Sequence, residues 1–409
     1  LKMKKDAQFY KFAVYGFLKN LRFFDPFLIL FFREMGLSFL EIGTLISVRE
    51  IATNILELPT GFIADLYGRR MSMVLSMVSY LASFMVFYLF PNFLVYMVAM
   101  VAFAFGEAFR TGTHKAMILE YLRLNDMMDI KVDYYGATRA ASQMGSAINA
   151  LIAAFLVFYS GSYRIVFLAS VIPYLLNLVN LSTYPKNLDG ELKTSQKGET
   201  FKAFFGIFKS RDSFRGVLNS SLYDAFFKVV QEYLQPILKA MAIGLPVMVT
   251  LKPDQRTAVL VGIVYFVIYF ATSYASKNAG NVSKKFGNEA RALNYSYLLG
   301  AVLIIFSGLF QRLGIQLAAV AVFFLLFVLE NLRRPVNISY ISDTIDHKTM
   351  ASGLSVESQL KTLLMAILAP VIGFLADRLG VGLALMLAGL LMAALFFLVS
   401  LRSAGSKGS

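Results

Sequence analysis

Cysteine is absent from the 409 residues, which excludes disulfides and thiolate metal sites and leaves the redox compartment unmarked. Histidine is nearly absent. His114 and His347 are too few and too far apart in the chain to suggest a metal centre. Charge is scarce as well: Asp, Glu, Lys and Arg make up 16% of the residues, against about 25% in a soluble domain. No Gly-x-x-x-x-Gly-Lys loop occurs, so there is no phosphate cradle of that type for ATP. There is no His-rich cluster and no nucleophile motif. A membrane-embedded enzyme is therefore poorly supported, and no catalytic residue, metal or cofactor is assigned. Apolar side chains dominate instead, at 57% of the chain with a mean hydropathy of +0.63. This is the composition of an integral membrane protein. The net charge of +14 would suit nucleic acid, but the basic residues cluster between apolar segments, which fits anionic lipid headgroups better.

A crossing needs about 20 mostly apolar residues. That length predicts spans over 9–34, 39–63, 71–91, 93–121, 136–159 and 162–183. After a polar stretch it predicts 214–241, 256–278, 290–311, 314–342, 351–376 and 381–401. The expectation is an all-α membrane protein of twelve transmembrane helices in two pseudo-symmetric six-helix bundles, 1–183 and 214–403. The linker 184–213 carries Phe201, Phe204, Phe205 and Phe208 at helical spacing beside Lys202 and Lys209, which suits an amphipathic helix on the inner leaflet or a loop packed on the helix ends. Residues 404–409 read as an added tail. The first apolar run is too long for a cleavable signal peptide and lacks a small-residue cleavage site. Placing both termini inside gives the cytoplasmic segments roughly 20 Lys and Arg against about 7 outside, the bias expected of the inner membrane of a cell.

The stretch from Glu57 to Arg70, Glu-Leu-Pro-Thr-Gly-Phe-Ile-Ala-Asp-Leu-Tyr-Gly-Arg-Arg, joins the second and third spans. Gly61 lets two helix backbones approach, Asp65 sits where a helix leaves the membrane, Gly68 permits a sharp turn, and Arg69 and Arg70 stay on the cytoplasmic side. Gly-x-x-x-Asp-x-x-Gly-Arg-Arg between two apolar segments resembles the signature loop of the major facilitator superfamily. The preceding Glu57-x-Pro59-Thr60 is most similar to bacterial drug/proton exporters of that superfamily. The resemblance implies a cytoplasmic gate made by Glu57, Gly61, Asp65, Gly68, Arg69 and Arg70. The chain also repeats itself. Gly61, Asp65 and Gly68 find an echo in Gly280, Lys284 and Gly287, Phe155 and Gly161 in Phe374 and Gly380, and Glu107 and Arg110 in Glu330 and Arg333, each about 220 residues later.

Charges inside apolar spans are expensive, about 2.5–3.5 kcal/mol each on insertion scales, and are functional candidates by default. Here they concentrate on spans one, four, seven and ten, while spans three, six, nine and twelve have essentially none. A period of three in span number is what three-plus-three repeats would give. In the superfamily this resembles, the first helix of each triplet lines a central cavity and the third faces lipid. Arg22, Asp224, Lys228, Glu232, Tyr265, Tyr269, Glu330, Arg333 and Arg334 are the expected cavity residues. Charges three or four residues apart, such as Arg22–Asp25, Glu107–Arg110, Glu330–Arg333 and Asp224–Lys228–Glu232, share a helix face and can neutralise each other, so about half of them are expected to be structural. Arg49 and Glu50, being adjacent, point in different directions, and each is expected to find its partner on another helix.

Arg110-Thr111-Gly112 resembles, in part, the fourth-helix arginine motif associated with proton coupling in the superfamily. Arginine holds its own proton too tightly to carry one, but it can control a nearby carboxylate. Asp25, with Pro26 beside it, is the first expectation for the coupling group and Glu107 the second. His114 reads as a packed or gate-lining histidine. The resemblance implies a secondary transporter working by alternating access on a small-molecule substrate, with protons or another ion as the coupling partner. Its expected direction is efflux of small amphipathic compounds. Helix five lacks the Gly-Pro motif frequent in antiporters, so uptake of a polar or anionic solute stands as the alternative, with Arg110, Arg333 and Arg334 as anion ligands. A non-transporting sensor or scaffold is more distant. Membrane lipids but no nucleic acid are the expected surroundings, and a monomer is the expected state.

Overall fold

The computed structural model describes residues 6–189, 211–246, 248–285, 288–344 and 350–401. No strand occurs among the described residues. In the first half, α1 (Ala7–Lys19) and α2 (Leu28–Glu34) make the first span, α3 (Phe39–Tyr67) the second and α4 (Arg69–Leu89) the third. The fourth is α5 (Phe93–Arg110) with α6 (Thr113–Leu124), followed by α7 (Lys131–Ser160) and α8 (Ile165–Ser182). In the second half, α9 (Arg211–Val230) and α10 (Leu234–Gly244) form the seventh span. Then come α11 (Pro253–Lys285), α12 (Glu289–Arg312), α13 (Gln316–Thr344), α14 (Met350–Leu379) and α15 (Val381–Val399). Nine helices among the described residues are long and apolar enough to cross a membrane by themselves. The first span falls short because its two helices are 13 and 7 residues long, the seventh because α9 carries Arg211, Asp212, Arg215, Asp224 and Lys228, and the second carries Arg49, Glu50 and Glu57 along its length. The result is a multi-pass membrane protein of twelve spans. The amphipathic segment expected around Phe201–Phe208 lies outside the described residues.

Three spans are broken, and each break falls beside charged side chains. The first span opens after Lys19 and restarts through a short 3₁₀ turn, Asp25–Phe27, which holds Pro26. Backbone freed by such a break must find partners in the protein, because lipid offers none. It does so. Tyr174 donates its hydroxyl to the Lys19 carbonyl (2.9 Å), Asn149 donates to the Arg22 carbonyl (3.0 Å), and the Phe23 N–H donates to Ser170 Oγ (3.1 Å). The fourth span breaks at Thr111-Gly112, where Gly112 takes φ +76, a left-handed conformation that glycine adopts without strain. The seventh span passes through a 3₁₀ turn at Gln231–Tyr233.

The chain divides into two compact units. One contains Leu1–Met35, Val48–Ser195 and Met248–Tyr269. Its α4 and α5 are joined by a serine ladder: Ser72, Ser76 and Ser83 donate to the carbonyls of Phe109 (3.0 Å), Gly106 (2.7 Å) and Ala99 (2.8 Å). Bonds of this kind contribute about 0.6 kcal/mol each in a membrane. They need close helices, and Gly106 provides the approach: a Cβ there would meet the Tyr80 ring at 2.9 Å. That contact lays Tyr80 against the charged end of α5.

The other unit contains Gly36–Ser47, Gln196–Val247 and Phe270–Ser409. Within it the Asp377 carboxylate accepts from the N–H groups of Phe39 (2.9 Å) and Leu40 (2.7 Å), satisfying orphan donors at the start of α3. Asn219 donates to the Val399 carbonyl (2.9 Å), and Asn294 exchanges hydrogen bonds with the backbone of Leu401. These contacts hold the last helix onto its neighbours.

Apolar side chains cover the outer faces. On α8, Ile172, Leu175, Leu176 and Val179 are exposed, and on α15 so are Leu390, Leu391, Phe397 and Leu398. Such stripes on long apolar helices suit contact with lipid tails. The echoed residues Phe155 and Phe374 are both exposed as well.

Candidate functional site

In the first unit, the two interrupted spans bring their charges together. The α1 break places Arg22 beside the C-terminal turn of α5, which carries Glu107 and Arg110. Arg22 Nη2 donates to Glu107 Oε1 (2.5 Å), and Arg110 Nη2 donates to Glu107 Oε2 (2.5 Å). Each carboxylate oxygen thus receives one guanidinium. Two tyrosines complete the arrangement. Arg22 Nε donates to Tyr174 Oη (2.8 Å) and Arg110 Nε to Tyr80 Oη (3.1 Å), while Arg22 also reaches Tyr80 Oη at 3.3 Å. The Arg22 guanidinium lies 5.3 Å from the Tyr80 ring centroid and 5.2 Å from that of Phe103. These are charge-assisted bonds in a site where all three charged side chains keep about a fifth of their surface exposed. Such bonds are roughly twice as strong as neutral ones.

Lys19 adds a third cation at the α1 terminus. Its Nζ lies 5.7 Å from the Tyr15 ring centroid, and it makes no ion pair among the described residues. Among the described residues, the site brings Arg22 and Arg110 onto the Glu107 carboxylate, with Lys19 at the nearby end of α1. His114, just beyond the break in the fourth span, is stacked on Tyr15 with 3.8 Å between ring centroids, and its Nε2 lies 3.3 Å from Tyr184 Oη. It is a packed histidine. Asp25 sits in the 3₁₀ turn and is exposed.

Not every expected intrahelical pair forms. Glu107–Arg110 does, but Arg22 gives its ion pair to Glu107 across helices. The expectation for Arg49 and Glu50 is corrected: they pair with each other, Arg49 Nη2 donating to Glu50 Oε1 at 2.7 Å. The long arginine stem lets the head group curl back along the helix to its neighbour, where a shorter side chain would be held apart.

The second unit is arranged differently. Arg333 is buried and turns away from Glu330. Its Nη1 donates to the Leu293 carbonyl (2.5 Å) and to Ser296 Oγ (2.6 Å), its Nη2 donates to Asn219 Oδ1, and its guanidinium stacks 4.2 Å from the Tyr223 ring centroid. Glu330 is buried in the same unit. Asp224 is half-buried, whereas Lys228 and Arg334 are exposed. Glu232 accepts from Gln231 (3.3 Å) and Gln235 (3.1 Å) in the turn of the seventh span. Tyr265 and Tyr269 belong to the first unit, with ring centroids 6.0 Å apart.

At the loop between the second and third spans, Gly68 takes φ +91, and the Arg70 N–H donates to Asp189 Oδ1 (2.7 Å). Arg70 Nη1 donates to the Tyr184 carbonyl (3.2 Å), and Arg69 lies 3.9 Å from Glu120, which also pairs with Arg123 (2.7 Å). Glu57 is half-buried on α3. Gly61 and Asp65 fall within α3, and their side-chain surroundings lie outside the described residues. Sequence reasoning missed Tyr80, Tyr174, Asp189 and Asp377. The first two sit in spans without interior charge and so without a local signal, and the aspartates act on helix starts far from them in sequence.

Comparison with known proteins gives one family and one fold. The family model that matches the chain, over residues 13–356, is that of the Major Facilitator Superfamily. No curated protein sequence matches the chain. Among solved structures, the nucleoside transporter NupG superposes with a TM-score of 0.78 at 12% identity, covering 97% of this chain and 100% of that one. A bacterial homolog of the human lysosomal transporter Spinster, in an inward-facing and unoccupied conformation, gives a TM-score of 0.74 at 14% identity over 98% and 100%. A D-xylose-proton symporter gives 0.70 at 14% identity over 96% of each chain.

Proposed function

The chain belongs to the major facilitator superfamily, and from that premise we propose that it takes up a small polar solute bearing an anionic group, driven by a proton gradient. Membership points to transport rather than catalysis. The observation that carries the solute class is the cationic surplus around Glu107. Both oxygens of that carboxylate are engaged, yet Arg22 and Arg110 have further donors and Lys19 makes no ion pair among the described residues. A guanidinium presents five N–H donors in a fixed fork, and each arginine spends only its Nε and Nη2 on these bonds. A carboxylate or phosphate on the solute would take up the remaining donors. Tyr80 and Tyr174 would hold the forks in place while it binds.

A proton as coupling ion fits a chain with buried carboxylates and without a phosphate-cradling loop. The cytoplasmic membrane, with both termini inside, fits the Lys and Arg bias between spans. A second reading, export of amphipathic compounds, rests on the exporter-like Glu57-Leu58-Pro59-Thr60-Gly61 sequence.

The test is a thermal-stability screen of the purified chain against small carboxylates, sugar phosphates and lipophilic cations, followed by uptake in proteoliposomes under an imposed pH gradient. Anionic solutes should stabilise the parent and lose their effect in Arg110→Gln. Stabilisation by lipophilic cations alone, with their expulsion under the gradient, would overturn uptake in favour of export.

A further inference from the structure

The cations of the first unit converge on one place. Arg22 and Arg110 both hold the Glu107 carboxylate, at 2.5 Å each. Arg49, on the second span, joins them through Phe103. Its guanidinium lies 6.0 Å from the centroid of that ring, and the Arg22 guanidinium lies 5.2 Å from the same centroid. Lys19 stands at the end of α1, where Arg110, Arg22 and Glu107 act on it electrostatically. All of these residues belong to one compact unit. The three arginine side chains keep about a fifth of their surface exposed, so a solute can reach them.

The carboxylates do not balance them. Glu107 answers Arg22 and Arg110. Glu50 answers Arg49, accepting its Nε (2.9 Å) and Nη2 (2.7 Å) on one oxygen. Four cations therefore face two carboxylates. Two exposed groups also act on the set, Asp25 on Arg22 and Arg139 on Lys19, and their charges offset each other. With His114 neutral, the described residues of this site leave a surplus of two positive charges inside a membrane protein. Charge held there without an opposite partner is costly. A monoanion removes half of the surplus, and a dianion removes it all.

Resting on the reading of the chain as a carrier of an anionic solute, we propose that the anionic group is the dianion of a phosphate monoester, and that Arg49 is its third guanidinium ligand beside Arg22 and Arg110. Convergence decides between the dianions. Cations gathered about one carboxylate and one ring suit two charges held on a single compact group, whereas a dicarboxylate spreads its charges to two ends. A phosphate monoester carries three strong acceptor oxygens on one phosphorus, one for each arginine. The planar fork of a guanidinium matches phosphate oxygens in pairs, and Lys19 adds a point charge that needs no fixed direction. Glu107 and Glu50 then keep the forks oriented while the solute neutralises what they leave over.

The experiment compares methyl phosphate with dimethyl phosphate on the purified full chain in detergent, by calorimetric titration on either side of about pH 6, where a phosphate monoester loses its second proton. Dimethyl phosphate has nearly the same shape but stays a monoanion throughout, so it reports any titration of the protein itself. Above that pH, methyl phosphate should bind about tenfold tighter than dimethyl phosphate, and below it the two should bind alike. Arg49→Gln should remove most of the preference for the dianion. Arg49→Lys, which keeps the charge but not the fork, should keep part of it. Equal binding of the two esters at high pH would overturn the dianion and leave the anionic solute standing. No binding of either ester or of small carboxylates would overturn both. Binding of a short-chain phosphatidate without any of methyl phosphate would give the site to a lipid headgroup and overturn the solute. Parent-like preference in Arg49→Gln would overturn the role of Arg49. Helix content by circular dichroism identifies a variant that fails to fold. If the Gln variant fails, unchanged affinity in the Lys variant overturns that role just as firmly.

Discussion

Replacing Glu107 by Gln removes one charge and changes almost no volume, so it isolates the electrostatic work of that carboxylate. Glu107 now neutralises part of two guanidiniums that both lie within 2.5 Å of it. Hydrogen bonds to charged groups contribute about 1.5–3 kcal/mol each, and breaking a fully buried pair costs about 3–5 kcal/mol. Here the side chains keep about a fifth of their surface, so water recovers part of the loss. Glutamine also keeps one acceptor for one arginine, while its amide would confront the other. The net expectation is a destabilisation of about 2–3 kcal/mol. The assay must suit the chain. It has neither tryptophan nor cysteine, so indole fluorescence and thiol-reactive dyes are blind to it. Loss of helical circular dichroism on heating in detergent is the direct readout. The variant should melt several degrees below the parent, and inorganic sulfate or phosphate should restore part of the difference by replacing the missing anion between Arg22 and Arg110. An unchanged melting temperature without sulfate, or no anion effect in the variant, would refute the reasoning about surplus positive charge.

Two further perturbations test the local structure. Gly112→Ala isolates backbone strain, because φ is +76 there and no atom lies within 4 Å of the added Cβ; about 1–2 kcal/mol should be lost, and an unaltered melting curve would show that the break in the fourth span relaxes freely. Asp189→Ala removes the carboxylate that accepts from the Arg70 N–H, so about 1 kcal/mol of capping should go and amide exchange at the first turn of α4 should quicken; equal exchange rates in parent and variant would assign the cap to water instead.

Much of the architecture is written in local patterns. Apolar run length places twelve spans because the bilayer fixes how many residues a crossing takes; most boundaries fall within about five residues of those found, while the eighth helix runs on past 278 to Lys285. The cost of intramembrane charge is enough to single out Arg22, Glu107, Arg110, Glu330 and Arg333 by their positions within apolar runs. Tertiary structure decided their partners. Sequence spacing offers Arg22 to Asp25 and Arg333 to Glu330, because three residues is one turn of a regular helix. The first span is not regular there: it opens after Lys19, and the opening turns Arg22 onto Glu107 of another span. Arg333 meets equally good acceptors on its neighbours in Asn219, Ser296 and a backbone carbonyl, so Glu330 is left without it. Tyr80 and Tyr174 join the site only because Gly106 lets α4 close on α5 and because the broken first span exposes a carbonyl that Tyr174 must satisfy. A sequence determines which charges will be costly. Only packing determines which of them are neutralised, because in a medium without water a partner is whatever side chain or carbonyl the neighbouring helix happens to present.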